Sequence, residues 1–395
     1  MRNDLNGTSG KKATVVIAGG GTGGHLYPGI AIAEEIVKQL KDVEIIFMGA
    51  EKGIEARILP SENYYVKLLK TDGFVGVSFK KKVAALYKFV MAFFKAYAFL
   101  RGLRPNIVIG TGGYASFIPV FAAVLLGIPT VVQEQNSVPG QANRILAKFA
   151  KKVCITYENS LSYFPKNKTI LTGNPVREKI LKADKAEGMK MFSLKEGRFT
   201  IFIFGGSMGA SSLNRIVVDS LEHLTELKDR IQFLHQTGEK DFEFVRAAYL
   251  SRGMSGTVAP FIYKMPEAYA SCDMIISRAG ATTLAEITAI GIPSVLVPYP
   301  YAASAHQEIN ASRLAVSGAA MMIKEEDLTG KSLADYIQTL YNDDNLRAKL
   351  SRDCMTFGKP DAARKVANIS IMLIKEKKIF FRKGTPVPLP KPGVQ

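Results

Sequence analysis

Two α/β domains, each built on a parallel sheet of Rossmann type, are the architecture this sequence predicts. Three observations predict it. A unit of strand, glycine loop and helix occurs twice, opening at Thr14 and again at Thr200. A second pair of units, one in each half, is punctuated by the tripeptide Gly-Ile-Pro. At 395 residues the chain exceeds what one core usually serves, since single cores stop growing at roughly 250–300 residues.

Each element follows from its residues. The strand Thr14 to Ala18 runs into Gly19-Gly20-Gly21-Thr22-Gly23-Gly24-His25, and a helix is expected from about Pro28 to Leu40. Thr200 to Phe204 runs into Gly205-Gly206-Ser207-Met208-Gly209-Ala210, with a helix around Leu213 to Leu224. Ile107 to Ile109 leads through Gly110-Thr111-Gly112-Gly113 and a helix to Gly127-Ile128-Pro129 and the strand Thr130 to Val132. Met274 to Ile276 leads through Arg278-Ala279-Gly280 and a helix to Gly291-Ile292-Pro293 and Ser294 to Val297. Glycine after the last turn and proline just beyond it stop a helix. Strands alternating with helices make parallel sheets, and such folds bind ligands beyond the carboxyl ends of their strands. The expected division is a flexible 1–12, a first domain over 13–175, a second over 176–358, and a basic Pro-rich tail over 377–395. The boundary falls near Gly173-Asn174-Pro175-Val176-Arg177, and a last helix over about 359–376 crosses back onto the first domain. The two sheets are expected to face a central cleft.

Composition narrows the function classes. Residues are 47% hydrophobic and 22% charged, as in ordinary globular proteins. Cys154, Cys272 and Cys354 lie far apart in no metal-ligand or CxxC spacing, so they read as packed thiols of a reducing compartment. Met1 to Lys12 is polar, without the apolar core of a secretory leader. A net charge of +17 calls for an anionic partner. No helix-turn-helix, zinc-finger or RRM pattern accompanies it, which disfavours nucleic acid.

Gly19, Gly21 and Gly24 satisfy G-x-G-x-x-G, so a dinucleotide-binding dehydrogenase has to be weighed. That function expects an acid at the end of the second strand for the ribose hydroxyls. Here Val43 to Met48 ends in Gly49-Ala50 and Glu51 comes late. A second glycine loop at Gly205 also stands outside that scheme. Both loops are expected to offer backbone N–H groups to anionic oxygens at a helix N-terminus, whereas Gly49 and Gly127 read as plain turn glycines.

Taken together, GGGTGGHLYPGIAIAEE, GTGGYASFIPV, QEQNSVPGQANR, TGNPVR, GGSMGASSLN and SRAGATTLAEITAIGIPSVLVPYP followed by HQEINA closely resemble the MurG family. Its members are UDP-N-acetylglucosamine–N-acetylmuramyl-(pentapeptide) pyrophosphoryl-undecaprenol N-acetylglucosamine transferases. The matching stretches span about Val15 to Asn310 in order. The resemblance implies a GT-B fold and an inverting transferase with no cofactor and no metal. The first domain would hold the undecaprenyl-linked muramyl-pentapeptide, and the second UDP-N-acetylglucosamine. The supply of UDP-sugars and the lack of a secretory leader make the cytoplasmic face of the plasma membrane the expected setting, with other cell-wall synthesis proteins as candidate partners. By the same match Thr22, Gly23, Gly24, Asn136, Arg177, Ser207, Ile262, Gly280, Ala281, Thr282, Thr283, Leu284, Ala285, Glu286 and Gln307 contact the donor or line its cleft. Side-chain chemistry agrees with several of these roles: Ser207 suits the diphosphate, Glu286 two ribose hydroxyls, Asn136 and Gln307 sugar hydroxyls, and the backbone edge of Ile262 uracil. His306, beside Gln307, is a second candidate for the sugar. The small-residue run Ala302 to Ala305 departs from the family's pattern, which often carries charges there.

An inverting transfer needs a base at the attacking hydroxyl and charge stabilisation at the departing diphosphate. His25, inside the first glycine loop, is the leading candidate base against a structural loop histidine, and Glu134 is the runner-up. The helix after Gly205-Gly206-Ser207, with Arg177, would meet the leaving charge. His223 and His235 read as ordinary helix and strand positions. No DxD motif or ligand cluster points to a metal.

Phe74 to Arg104 is apolar and aromatic with almost exclusively positive charges, and Lys81, Lys88 and Lys95 recur every seven residues. A spanning helix is disfavoured at about 2.5–3.5 kcal/mol per central lysine. An interfacial one gains about 1 kcal/mol per cation at anionic lipid. An anionic membrane surface is therefore an expected partner, against the plainer reading of a helix packed on its sheet. Rival functions are a diacylglycerol glycosyltransferase of the same fold, a UDP-N-acetylglucosamine 2-epimerase, and a non-catalytic sugar-nucleotide scaffold.

Overall fold

β-Branched runs that are apolar on both faces build two parallel sheets, because only strands covered by helices on each side bury such sequences completely. The computed structural model describes residues 12–70, 79–207 and 209–380. The expectations for 1–11 and for the Pro-rich stretch 381–395 lie outside the described residues. The chain forms two units. One runs to Glu134, resumes over Pro139–Thr172 and takes in the chain from Ala363 onward; the other comprises Gln135–Val138 and Gly173–Ala362.

The first unit holds β1 (Ala13–Gly19), β2 (Val43–Ala50), β3 (Tyr65–Leu69), β4 (Ile107–Gly112), β5 (Thr130–Glu134), β6 (Lys152–Ile155) and β7 (Thr169–Leu171). They lie in the order β3-β2-β1-β4-β5-β6-β7, every pair parallel. Val15, Val16, Ile17 and Ala18 of β1 are wholly buried, each larger one contributing about 1.5–3 kcal/mol. The order reverses between β1 and β4, so the loops leaving these two strands open side by side at the switch point. Those loops carry Gly19 to Gly24 and Gly112-Gly113.

Helix α1 (Gly23–Gln39) begins ahead of the Pro28 start expected from the sequence, with Pro28 inside it. Only Gly20 and Gly21 of this loop take positive φ, so the last two glycines already belong to the helix. Helix α2 (Glu55–Ser61) follows β2, and α3 (Phe79–Leu103) precedes β4. Helix α4 (Tyr114–Leu125) and helix α5 (Gln141–Phe149) follow β4 and β5. Ala92, Ala96 and Leu100 of α3 are buried, and Phe93 meets Phe121 of α4 at 6.1 Å. The opposite side of α3 leaves Val90, Met91 and Phe94 exposed. The plain packed-helix reading thus accounts for one face only. No helix among the described residues is long and apolar enough to cross a membrane.

The second unit repeats the plan with β8 (Phe199–Phe204), β9 (Ile231–Gln236), β10 (Gly256–Ala259), β11 (Met274–Ser277), β12 (Ser294–Leu296) and β13 (Met321–Met322). Their order is β10-β9-β8-β11-β12-β13, again all parallel. Ile201 and Ile203 face one core layer, and Phe202 and Phe204 the other. The helix after the second glycine loop spans Ser211–Ser220 and gives way to a 3-10 turn, Leu221–Leu227, which carries His223. Both Gly-Ile-Pro signals act as read: Gly127 and Gly291 stand at φ 65° and 70°, and the Gly291 N–H donates to the Ile287 carbonyl at 2.8 Å. The last helix, Ala362–Phe380, extends beyond the expected end near 376. All three cysteines are buried and unpaired with one another, and burial pushes the Cys154 thiol up to about 12.

His235 on β9 is fully buried between Tyr249 Oη (3.2 Å from Nδ1) and Asn214 Oδ1 (3.1 Å from Nε2). Burial pulls its pKa down to about 3. The unfolded imidazole takes its proton near pH 6.5 and the folded one only near 3, so the second unit loses stability as pH falls through that window. His235→Gln is expected to reduce the fall of the unfolding free energy measured in urea between pH 7 and 5, by up to about 1.4 kcal/mol per pH unit. An unchanged slope would mean that His235 protonates alike in both states.

Candidate active site

In the first unit the two glycine turns and two candidate bases gather around β4. Thr22, exposed, is the N-cap residue of α1, and its carbonyl accepts from the N–H groups of His25 and Leu26, both at 3.2 Å. Gly23, Gly24 and His25 form the first turn. The half-buried His25 places Nδ1 3.1 Å from the Thr111 carbonyl, while Thr111 Oγ1 donates back to the His25 carbonyl at 2.7 Å. A carbonyl only accepts, so Nδ1 carries the proton and the basic lone pair of the neutral ring lies on Nε2. Gly112 and Gly113, at φ 95° and 76°, pass against this ring. A Cβ on Gly112 would stand 2.8 Å from His25 Nδ1 and 3.3 Å from Asn143 Nδ2.

Asn143 links that turn to the runner-up base. Its Nδ2 donates to Glu134 Oε2 at 2.8 Å and to the Gln133 carbonyl at 3.2 Å. The Gly140 N–H also reaches Glu134 Oε2, at 3.3 Å. Glu134 is buried and ties the start of α5 to the end of β5, a placement favourable for a carboxylate at a helix N-terminus. The structure therefore gives Glu134 a holding task.

The first glycine loop departs from the anion-binding expectation at one atom. Gly21 N–H donates at 2.7 Å to Oε2 of Glu55, a fully buried carboxylate. That backbone donor is spent on the protein's own anion, and a phosphate at the same place would meet like charge. The acid that a dinucleotide site puts at the end of the second strand is replaced by one folded beneath the loop.

In the second unit Arg177 and Glu286 come together as a buried pair, Nη2 to Oε1 3.3 Å. Tyr269 Oη donates to Glu286 Oε2 at 2.9 Å. Burial raises the Glu286 carboxyl above the usual carboxylate range, with Arg177 and Tyr269 acting against it. Glu286 is thus neither a solvated helix carboxylate nor an isolated ribose acceptor, since each oxygen already accepts one bond. Gly280 is the N-cap residue of the helix Ala281–Ile290. Ala281 and Thr282 of its first turn are buried, Thr283 and Ala285 half-buried, and Leu284 belongs to the core. Asn174 Nδ2 donates to Thr282 Oγ1 at 3.2 Å, so TGNPVR and the Gly280 run form one cluster.

Ser207, half-buried, lies in the loop between β8 and the helix at Ser211. Asn136, half-buried, sits in the short segment Gln135–Val138, whose Ser137 Oγ donates to Asn310 Oδ1 at 2.6 Å. Gln307 accepts from the Tyr299 N–H at 3.0 Å and so closes the Tyr299 to His306 turn. Within that turn Ser304 and Ala305 stand at φ 53° and 49°, strained for residues with a Cβ. The departing small-residue run is therefore where the backbone turns left-handed.

Ile262 is buried just beyond β10. Its N–H donates to Gln236 Oε1 at 2.8 Å, and Gln236 Nε2 donates to the Gly206 carbonyl at 2.9 Å. One buried amide holds the second glycine loop and the Ile262 edge together. Gln236, Tyr269, Asn143, Glu55 and Arg278 were not legible as site residues. Arg278 is buried, donating to the carbonyls of Val297 and Pro298 at 3.2 Å, to Ser212 Oγ at 2.9 Å, and to Glu325. Gln236 ends β9, Arg278 follows β11 and Glu55 opens α2 after β2, whereas Tyr269 and Asn143 lie inside helices with no local signal to mark them.

Known proteins share this organisation. The glycosyltransferase family 28 N-terminal domain matches residues 15–155 and its C-terminal domain residues 200–366. A protein of Thermodesulfovibrio yellowstonii named UDP-N-acetylglucosamine–N-acetylmuramyl-(pentapeptide) pyrophosphoryl-undecaprenol N-acetylglucosamine transferase is 46% identical over 92% of this chain and 100% of its own length. A Myxococcus xanthus protein of the same name is 41% identical over 91% of this chain and 93% of its own. The crystal structure of Acinetobacter baumannii MurG covers 91% of this chain and 99% of its own, at 30% identity and a TM-score of 0.68. A UDP-N-acetylglucosamine 2-epimerase structure reaches a TM-score of 0.64, covering 96% of this chain and 99% of its own, at only 12% identity. That likeness is one of fold alone. Identity at this level across both units, carried by proteins of one name, separates the transferases from the epimerases that share their architecture: this chain belongs to the MurG family of glycosyltransferases.

Proposed function

We propose that this enzyme transfers N-acetylglucosamine from UDP-N-acetylglucosamine to the C4 hydroxyl of undecaprenyl-pyrophosphoryl-N-acetylmuramyl-pentapeptide, with inversion at the anomeric carbon. The observation that carries this reading is the 46% identity over 92% of the chain to a relative whose name spells out that transfer. The first unit takes the lipid-linked acceptor and the second the nucleotide sugar. The hydroxyl attacks the anomeric carbon while the bond to UDP breaks on the opposite face. The proton passes to a base and the electron pair to the diphosphate.

His25 is the base in this reading. The Thr111 carbonyl fixes its Nδ1–H, which directs Nε2 to act as acceptor and holds the ring in one tautomer. Glu134 acts by holding α5 and Asn143 in place. In the second unit Ser207, with the loop before the helix at Ser211, faces the diphosphate. Glu286, oriented by Arg177 and Tyr269, keeps oxygen lone pairs for the ribose hydroxyls. The backbone edge of Ile262, positioned by Gln236, reads the uracil. Asn136 and Gln307 meet the sugar.

The reaction's acceptor is a lipid, and α3 carries the matching surface. Val90, Met91 and Phe94 are exposed alongside Lys88, Lys95 and Arg101, a combination that favours the interface of an anionic bilayer. Lys81 lies where side chains are not described. The cytoplasmic face is the side on which nucleotide sugars are supplied.

Incubation with radiolabelled UDP-N-acetylglucosamine and a short-chain lipid acceptor should yield the labelled disaccharide lipid. Label retained in an epimerised nucleotide sugar would instead favour the isomerase. His25→Ala is expected to lower kcat about 10²–10⁴-fold, and near-full turnover would remove His25 from the base role. The protein should co-sediment with vesicles containing anionic phospholipid and release as salt screens the contact. Paired Met91→Glu and Phe94→Glu substitutions should weaken that binding, and equal binding by variant and parent would count against α3.

A further inference from the structure

We propose that Glu55 is a positioning residue of the acceptor-side unit, holding the Gly19–Gly24 loop so that His25 is presented to the acceptor. The inference rests on the assignment of the first unit to the acceptor. Glu55 opens α2, just after β2, and is wholly buried. Its two oxygens accept one backbone bond each, Oε2 from Gly21 N–H and Oε1 from Ala50 N–H, both at 2.7 Å. The carboxylate therefore fastens the loop after β1 to the end of β2.

The surrounding sequence is shaped to this group. A Cβ on Gly20 would lie 2.2 Å from the Glu55 carboxyl, one on Gly53 2.1 Å from Oε2, and one on Gly49 2.4 Å from its Cγ. Three glycines thus leave the volume that one carboxyl fills. Gly49 and Gly53 do not take positive φ, so turn geometry does not demand glycine there. Gly20 and Gly21, at φ 151° and 83°, hold a conformation with few local restraints of its own. Thr22, the α1 N-cap residue, follows directly, and His25 comes one turn later. A shift of the Gly21 anchor is transmitted to His25 through the start of a helix.

Glu55→Gln keeps the shape but turns one acceptor into a donor facing a backbone N–H. Gly53→Ala leaves Glu55 in the chain and displaces its carboxylate. Both variants should lose about ten- to a hundredfold in kcat/KM for the lipid acceptor, as expected of a misplaced catalytic group. Melting temperature should stay within a few degrees of the parent value. Glu55→Gln combined with His25→Ala should be no slower than His25→Ala alone, because both changes remove the same function. Folded variants with full acceptor turnover would overturn the proposal. So would a double variant slower by the product of the single losses, which separates Glu55 from His25, or collapse of the near-ultraviolet dichroism in both single variants, which assigns Glu55 to folding alone. Failure of the parent enzyme to make the disaccharide lipid would strike the assignment of function itself, which the parent assay reads separately.

Discussion

A glycine loop leaving the first strand of a parallel sheet has no lattice of its own, and the rest of each unit depends on how that loop is held. Its glycines permit left-handed turns but do not select one. In the first unit the selection is made by Glu55, which accepts from Gly21 and Ala50. In the second it is made by Gln236, which bridges the Gly206 carbonyl and the Ile262 N–H. Both side chains come from the end of the second strand or just past it. In a dinucleotide-binding domain an acid near that place serves the ligand's ribose; here both polar groups are turned inward to hold the loop.

The two clamps differ in charge, and the difference divides the chemistry. A carboxylate beneath the first loop accepts from N–H groups and adds negative charge where a phosphate would otherwise settle. An amide beneath the second loop donates to one strand end and accepts from another without adding charge. The second loop therefore carries no such charge, while the first unit presents the Thr22 hydroxyl and the His25 imidazole. The buried Arg177–Glu286 pair extends this logic. Such a pair adds little net stability, but with Tyr269 Oη it sets the direction of the Glu286 carboxylate on the helix Ala281–Ile290.

The surface of the first unit is organised by the same economy of faces. Helix α3 satisfies the sheet with small residues and rings: Ala92, Ala96 and Leu100 buried, and Phe93 against Phe121. Its other side keeps Phe94, Met91 and Val90 exposed among lysines. An apolar stripe wider than one packing face requires explains why the helix read as interfacial rather than simply amphipathic.

Much of the architecture was legible because it depends on local chemistry. Strands such as Thr14 to Ala18 and Thr200 to Phe204 announce themselves by β-branched and aromatic residues, and Gly127 and Gly291 stop helices wherever they stand. The short outer strands, Gly256–Ala259 and Met321–Met322, carry no such pattern and form because a neighbouring edge offers partners. The start of α1 was misplaced because proline is an ordinary helix opener, whereas here Gly23 and Gly24 open the helix ahead of it. Among candidate site residues, Thr22, His25, Arg177 and Glu286 could be picked out by motif. Their partners could not, since Glu55 lies 34 positions from Gly21 and Glu286 lies 109 from Arg177. By itself the sequence determined which loops are glycine-built, how often the unit repeats and which family the motifs match, all properties of neighbours along the chain. Only the tertiary structure decided which backbone donors those loops retain. A buried carboxylate or amide selects its partners by distance in space, and nothing in sequence spacing reports that distance.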